Sequence, residues 1–84
     1  MDQSIYQEYL KAYALEALEA GNDDVSAAAD FLEKKSRASL LAKDRKEKRA
    51  ALSRARKVFN ETRDRSAYMA LKSLGFDELA KSKL

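Results

Sequence analysis

The chain is expected to fold as an all-α domain. Three observations carry that expectation: proline is absent, only Gly21 and Gly75 could interrupt a helix, and β-branched residues are confined to Ile5, Val25, Val58 and Thr62. Apolar residues recur at three- and four-residue spacing through most of the 84 positions. The layout is three main helices, at about 5–20, 23–35 and 37–63, and a short C-terminal helix at about 66–74. Chain length fits a single domain made of an acidic N-terminal hairpin (1–33), a basic amphipathic helix (34–63) and a C-terminal segment (64–84).

The first helix is expected to start near Ser4, where Ser4 and Gln7 have the spacing of a capping box. Tyr6, Tyr9, Leu10, Tyr13, Ala14 and Ala17 share one face, with Leu15 and Leu18 widening it. Gly21 suits a left-handed C′ position. Asn22 or Asp23 then caps the second helix, whose buried stripe is Val25, Ala28, Ala29 and Leu32, with Phe31 beside it. A connection this short implies an αα-hairpin.

A bend is expected near 34–37, with Ser36 as a new N-cap. The alternative is one rod from about 23 to 63, because neither Gly nor Pro intervenes. From Arg37 onward, Leu40, Leu41, Ala51, Leu52, Ala55, Val58 and Phe59 cluster on one side at 100° per residue. The stripe is poor between Ala42 and Ala50, so that part is expected to project from the body. Thr62, Asp64 or Ser66 caps the next helix, built on Ala67, Tyr68, Leu71 and Leu74. Gly75 closes it in a Schellman turn, with Leu71 and Phe76 at C3 and C″. Asp77 caps a last turn, and the tail 82–84 frays.

Absence of Cys and His removes thiolate and imidazole chemistry, leaving Asp, Glu, Lys and Tyr for any acid–base role. Five carboxylates have a base four residues on: Asp30 and Lys34, Glu33 and Arg37, Asp44 and Lys48, Glu61 and Arg65, Asp77 and Lys81. Such pairs are ordinary helix-surface partners. No Gly-rich phosphate loop or EF-hand ladder is present. A non-enzymatic protein without cofactor or metal is therefore expected. No basic–apolar leader is visible at Met1-Asp2-Gln3, and no apolar run nears the length of a membrane span, so a cytoplasmic location is expected.

Charge is the main functional signal. Residues 34–57 hold eleven Lys or Arg against Asp44 and Glu47, a net +9, whereas residues 1–33 carry −7. The expected partner is a nucleic acid, DNA more than RNA, bound through phosphates and weakened by salt. Arg45, Arg49 and Arg56 form one row along the helix, and Lys46 and Lys57 a neighbouring one. Arg37 and Ser39 are candidate base readers.

The segment Asp24–Leu32 followed by Ser36-Arg37-Ala38-Ser39-Leu40-Leu41 partly resembles a Fis-type helix-turn-helix, which implies a recognition helix starting at Ser36. Its turn, Glu33-Lys34-Lys35-Ser36, is one residue too long and lacks the expected Gly and buried aliphatic. Its distance from Asn22 to the alanine pair is also too long. These departures leave the chain without a family assignment.

The second expectation is a phage-type inhibitor or accessory protein. It would dock an acidic protein surface with the basic helix, or bury Tyr6, Tyr9 and Tyr13 in a partner; otherwise the tyrosines form a core face. A homodimer that sets acidic arms against basic helices belongs to the same reading. An internal alternative is that the acidic helices neutralise the basic one. The apolar face around Lys48 is too sparse to enter a membrane.

Overall fold

A computed structural model describes residues 3–84; the leader reading at Met1 and Asp2 lies outside the described residues. Five helices follow in order: α1 (Gln3–Ala20), α2 (Val25–Ala42), α3 (Lys46–Glu61), α4 (Ala67–Ser73) and α5 (Asp77–Lys81). The first three pack pairwise on one another, while α4 and α5 pack together and α4 also touches α3. One apolar cluster unites all five and centres on Leu18, Leu32, Leu52, Phe59 and Leu71. Ala14, Ala17, Ala28, Ala29, Ala51 and Ala55 are fully buried between the three long helices. Small side chains at those positions allow close helix approach.

The α2–α3 break is the main departure from the sequence expectation. It falls at 43–45, so the helix neither bends at 34–37 nor continues as a rod. The backbone shows how the helix ends. Lys43 takes the left-handed conformation (φ 57, ψ 46), its N–H donates to Leu40 O at 3.2 Å, and Asp44 N–H donates to Ser39 O at 3.2 Å. That is a Schellman closure with a lysine where glycine is usual, at a cost of about 1 kcal/mol.

Packing explains why the turn forms there. Residues 42–50 offer no large apolar group, so continuing the helix buries nothing, whereas turning brings Ala51, Leu52, Ala55, Val58 and Phe59 back onto α1 and α2. Ser36 and Ser39 extend the buried stripe of α2 beyond Leu32, so Ser36 is a small interior residue and not a cap. With α2 unbroken from Val25 to Ala42, no helix-turn-helix exists at 24–41. Leu40 and Leu41, grouped by sequence with Leu52, sit on the outside of α2 at 59% and 85% exposure. The stretch expected to project is the turn and the first coil of α3.

The other joints refine the sequence reading. Among the described residues α1 starts at Gln3, so Ser4 lies inside it. The left-handed residues after α1 are Asn22 (φ 52) and Asp23 (φ 64), not Gly21. Gly21 is needed for space: a Cβ there would stand 2.9 Å from both Ala28 N and Asp24 O. Asp24, not Asn22 or Asp23, occupies the N-cap of α2, without a side-chain hydrogen bond. Ser66 caps α4, accepting from Met69 N–H at 3.3 Å.

Gly75 (φ 91) closes α4 as expected, with Gly75 N–H on Lys72 O and Phe76 N–H on Leu71 O at 2.9 and 3.1 Å. Asp77 opens α5 and Phe76 holds its N-cap position. The tail is tied down: Lys83 Nζ donates to Asp23 Oδ1 at 2.8 Å. No helix among the described residues is long and apolar enough to cross a membrane.

Candidate functional site

The eleven bases of 34–57 divide into two sets. Four have acidic partners: Lys35 with Glu16 at 2.6 Å, Arg56 with Glu33 at 3.8 Å, Lys48 with Asp44 at 3.3 Å and Arg45 with Glu47 at 3.6 Å. The other seven, Lys34, Arg37, Lys43, Lys46, Arg49, Arg54 and Lys57, are all exposed, and none has an ion pair among the described residues. Internal neutralisation by the acidic arm is therefore partial.

The polar bonds that cross between α2 and α3 lie toward one end of the hairpin. At the end away from the turn, Arg63 joins the helices. Its Nη2 donates to Asp30 Oδ1 at 2.8 Å, and its Nη1 donates to Ser26 Oγ and Ser26 O at 3.1 and 3.3 Å. Glu33 accepts from Asn60 Nδ2 at 3.1 Å beside its pairing with Arg56. Toward the turn, Arg45 and Lys48 pair locally with Glu47 and Asp44, while Arg37, Lys43, Lys46 and Arg49 make no ion pair among the described residues.

Between α2 and α3 at that end lies a groove of about 350 Å³. Ser39 and Leu40 line it from α2, and Lys46, Arg49, Ser53 and Arg56 from α3. The α3 residues follow an i, i+3, i+7, i+10 pattern, which puts them on one edge of the helix. Of the candidate contacts, Lys46 and Arg49 are exposed at the groove, Arg56 is half-buried there, and Lys57 is exposed on α3 outside it. Arg45 stands apart from the expected row. It is the N-cap residue of α3 and borders a separate cleft with Ile5, Glu8, Tyr9 and Ala12. Arg37 is exposed in the second half of α2, and Ser39 is only 5% exposed.

The tyrosines divide similarly. Tyr13 is in the core at 4% exposure, while Tyr6 and Tyr9 are half-buried against it; the Tyr9 and Tyr13 rings stack at 6.3 Å. Burial raises the Tyr13 pKa, against the lowering influence of Lys48 and Lys35. Among the described residues its Oη has no hydrogen-bond partner, and neither does Ser39 Oγ. Ser39 Oγ nevertheless lies close enough to Asp44 to be the main cause of that carboxyl's lowered pKa, followed by Lys48. The hydroxyl is therefore near the carboxylate but off the geometry of a full hydrogen bond. Asp44 in turn raises the Lys48 pKa.

The linkage has a definite sign. Because the folded Asp44 pKa lies below its ordinary 3.8, the contribution is fully present above that pH and is lost as pH falls through the lowered value. Ser39→Ala is expected to move the Asp44 carboxyl titration upward, followed by NMR. An unchanged midpoint would show that Ser39 does not act on Asp44.

Sequence reasoning missed the groove residues Ser53 and Leu40 and the Arg63 crosslink. The spacing of Ser53 from Lys46, Arg49 and Arg56 was a usable signal. The position of Leu40 depended on where α2 ends. Comparison with protein-family models, characterised proteins and solved structures gives no match. Among the described residues, no group of three or more Asp and Glu is placed to hold a metal ion.

Proposed function

We propose that the chain is a non-enzymatic nucleic-acid-binding protein that sets the outer face of α3 and the C-terminal part of α2 against duplex phosphates. One observation carries the reading: seven of the eleven bases are exposed without an acidic partner, and they lie on α2, α3 and the turn between them. From Lys46 to Lys57 the helix rises about 16 Å, and the DNA major groove is about 12 Å wide, so cations at the two ends of α3 can meet phosphates on both sides. Duplex is favoured over single strand because no aromatic ring lines the α2–α3 groove, and single-strand binding relies on stacking. DNA is favoured over RNA because the narrow major groove of A-form RNA does not admit a helix.

A gel shift of the full chain on duplex DNA across a salt series tests this. With about four to six phosphate contacts, log K should fall against log salt with a slope of roughly −4 to −5. Lack of retention at low salt would refute the reading.

A second reading has its own support. Leu40 and Leu41 are exposed on α2 near the unpaired bases. An acidic protein surface with an apolar contact would use them. That complex should respond weakly to salt and lose affinity on Leu41→Ser, whereas phosphate binding depends on the cations.

A further inference from the structure

We propose that the α2–α3 groove is a seat for one phosphate group, held by Arg49 and Lys46 with the Arg56 guanidinium and the Ser53 hydroxyl at its edge. The identity of its occupant as a phosphate of the nucleic-acid backbone rests on the function proposed above. The seat itself stands on the geometry of this chain.

Two observations converge on it. First, three cations line a concavity of about 350 Å³, which is a stronger arrangement than bases scattered on a convex helix. Second, Arg49 and Lys46 have no acidic partner, and Arg56 is 3.8 Å from Glu33, too far for that carboxylate to occupy its donors fully.

Leu40 also shapes the choice of ligand. It lines the groove from α2 and is 59% exposed. A phosphate bearing a sugar could rest its carbon face on Leu40 while the oxygens meet Arg49 and Ser53. A carboxylate offers two oxygens and fills one Arg fork, whereas a phosphate ester offers three and can meet Arg49, Arg56 and Ser53 together. A phosphate ester is thus the ligand class that uses both the cations and the apolar wall.

The test uses the full, isotope-labelled chain titrated with pyrophosphate, and separately with chloride at matched ionic strength. Pyrophosphate is expected to give saturable NMR shifts confined to Ser39, Arg49, Ser53 and Arg56. Arg49→Gln should weaken the interaction about tenfold, as loss of a charge-assisted fork implies, and Arg65→Gln, outside the groove, should leave it unchanged. Shifts that are linear in concentration, spread equally to Lys34, or reproduced by chloride would overturn the seat. The two proposals fail separately. If duplex DNA is retained while the groove signals do not move, the seat is wrong and the nucleic-acid reading stands. If pyrophosphate saturates the groove but duplex is not retained at low salt, the seat stands and its occupant is a small phosphorylated molecule.

Discussion

Phe59→Ala is expected to abolish the cooperative unfolding transition or lower Tm by more than about 15 °C. Phe59 is the largest fully buried side chain, at 0% exposure. Truncating a buried phenylalanine costs about 3–5 kcal/mol, the higher values arising where neighbours cannot close on the void. Nine of the nineteen buried apolar residues are alanine, and alanine has no side-chain torsion with which to fill a cavity. The cost should therefore lie at the upper end. Domains of this length have a total stability of about 4–13 kcal/mol, so one substitution consumes much of it. Circular dichroism during thermal and urea unfolding measures the effect. A Tm drop under about 5 °C would mean that the three long helices are not held by this core.

Sequence reading located elements wherever local chemistry determines them. Ser66 and Gly75 act as a cap and a left-handed closure because those roles need only the residue and its immediate neighbours. The stripe of α3 from Ala51 to Phe59 was readable because one buried face imposes one period. The α2–α3 break was not readable in that way. Its left-handed residue is Lys43, which carries no local sign of the role. The available sign was the apolar gap from 42 to 50, which fits a projecting helix as well as a turn. Misplacing the break rotated Leu40 and Leu41 onto the core face. Gly21 shows a related difficulty: a glycine needed for close approach looks the same in sequence as one needed for positive φ.

The site was partly readable for the same reasons. Periodicity placed Lys46, Arg49 and Lys57 opposite the core, and α3 keeps them there. Which cations remain free depended on contacts between distant residues. Of the five expected i, i+4 pairs, Asp44 with Lys48 forms at 3.3 Å, while Asp30 and Glu33 instead reach across to Arg63 and Arg56. The buried faces bring α2 and α3 together, and their acids then meet bases of the neighbouring helix. Arg45 follows the same logic: once the turn ends at 45, its side chain belongs to the α1 side of the hairpin and leaves the row with Arg49 and Arg56.

Replacing Lys46, Arg49 and Lys57 together with Gln is expected to lower duplex affinity roughly a hundredfold at low salt and to flatten the salt dependence by about three units of slope. These three are exposed, unpaired and away from the core, so their contribution to folding is small, and Tm should move by only a few degrees. The charge on the chain falls from +3 to zero, so a loss could reflect net charge alone. A matched triple, Arg65→Gln, Lys72→Gln and Lys81→Gln, removes the same charge from the C-terminal segment. If binding is set by the unpaired face of α3, the matched triple keeps most of the affinity and the steep salt response. Equal losses from both triples would reduce the interaction to bulk charge and leave α3 without a special role. Removing the bridging base Arg63 separates the two kinds of cation further. Arg63→Gln breaks the bonds to Asp30 and Ser26, so it should reduce stability while leaving the salt slope of the folded protein in place. The bases thus differ by partner: Arg63 and Arg56 reach the α2 acids Asp30 and Glu33, whereas Lys46, Arg49 and Lys57 make no ion pair among the described residues and are the ones the proposed function assigns to phosphate.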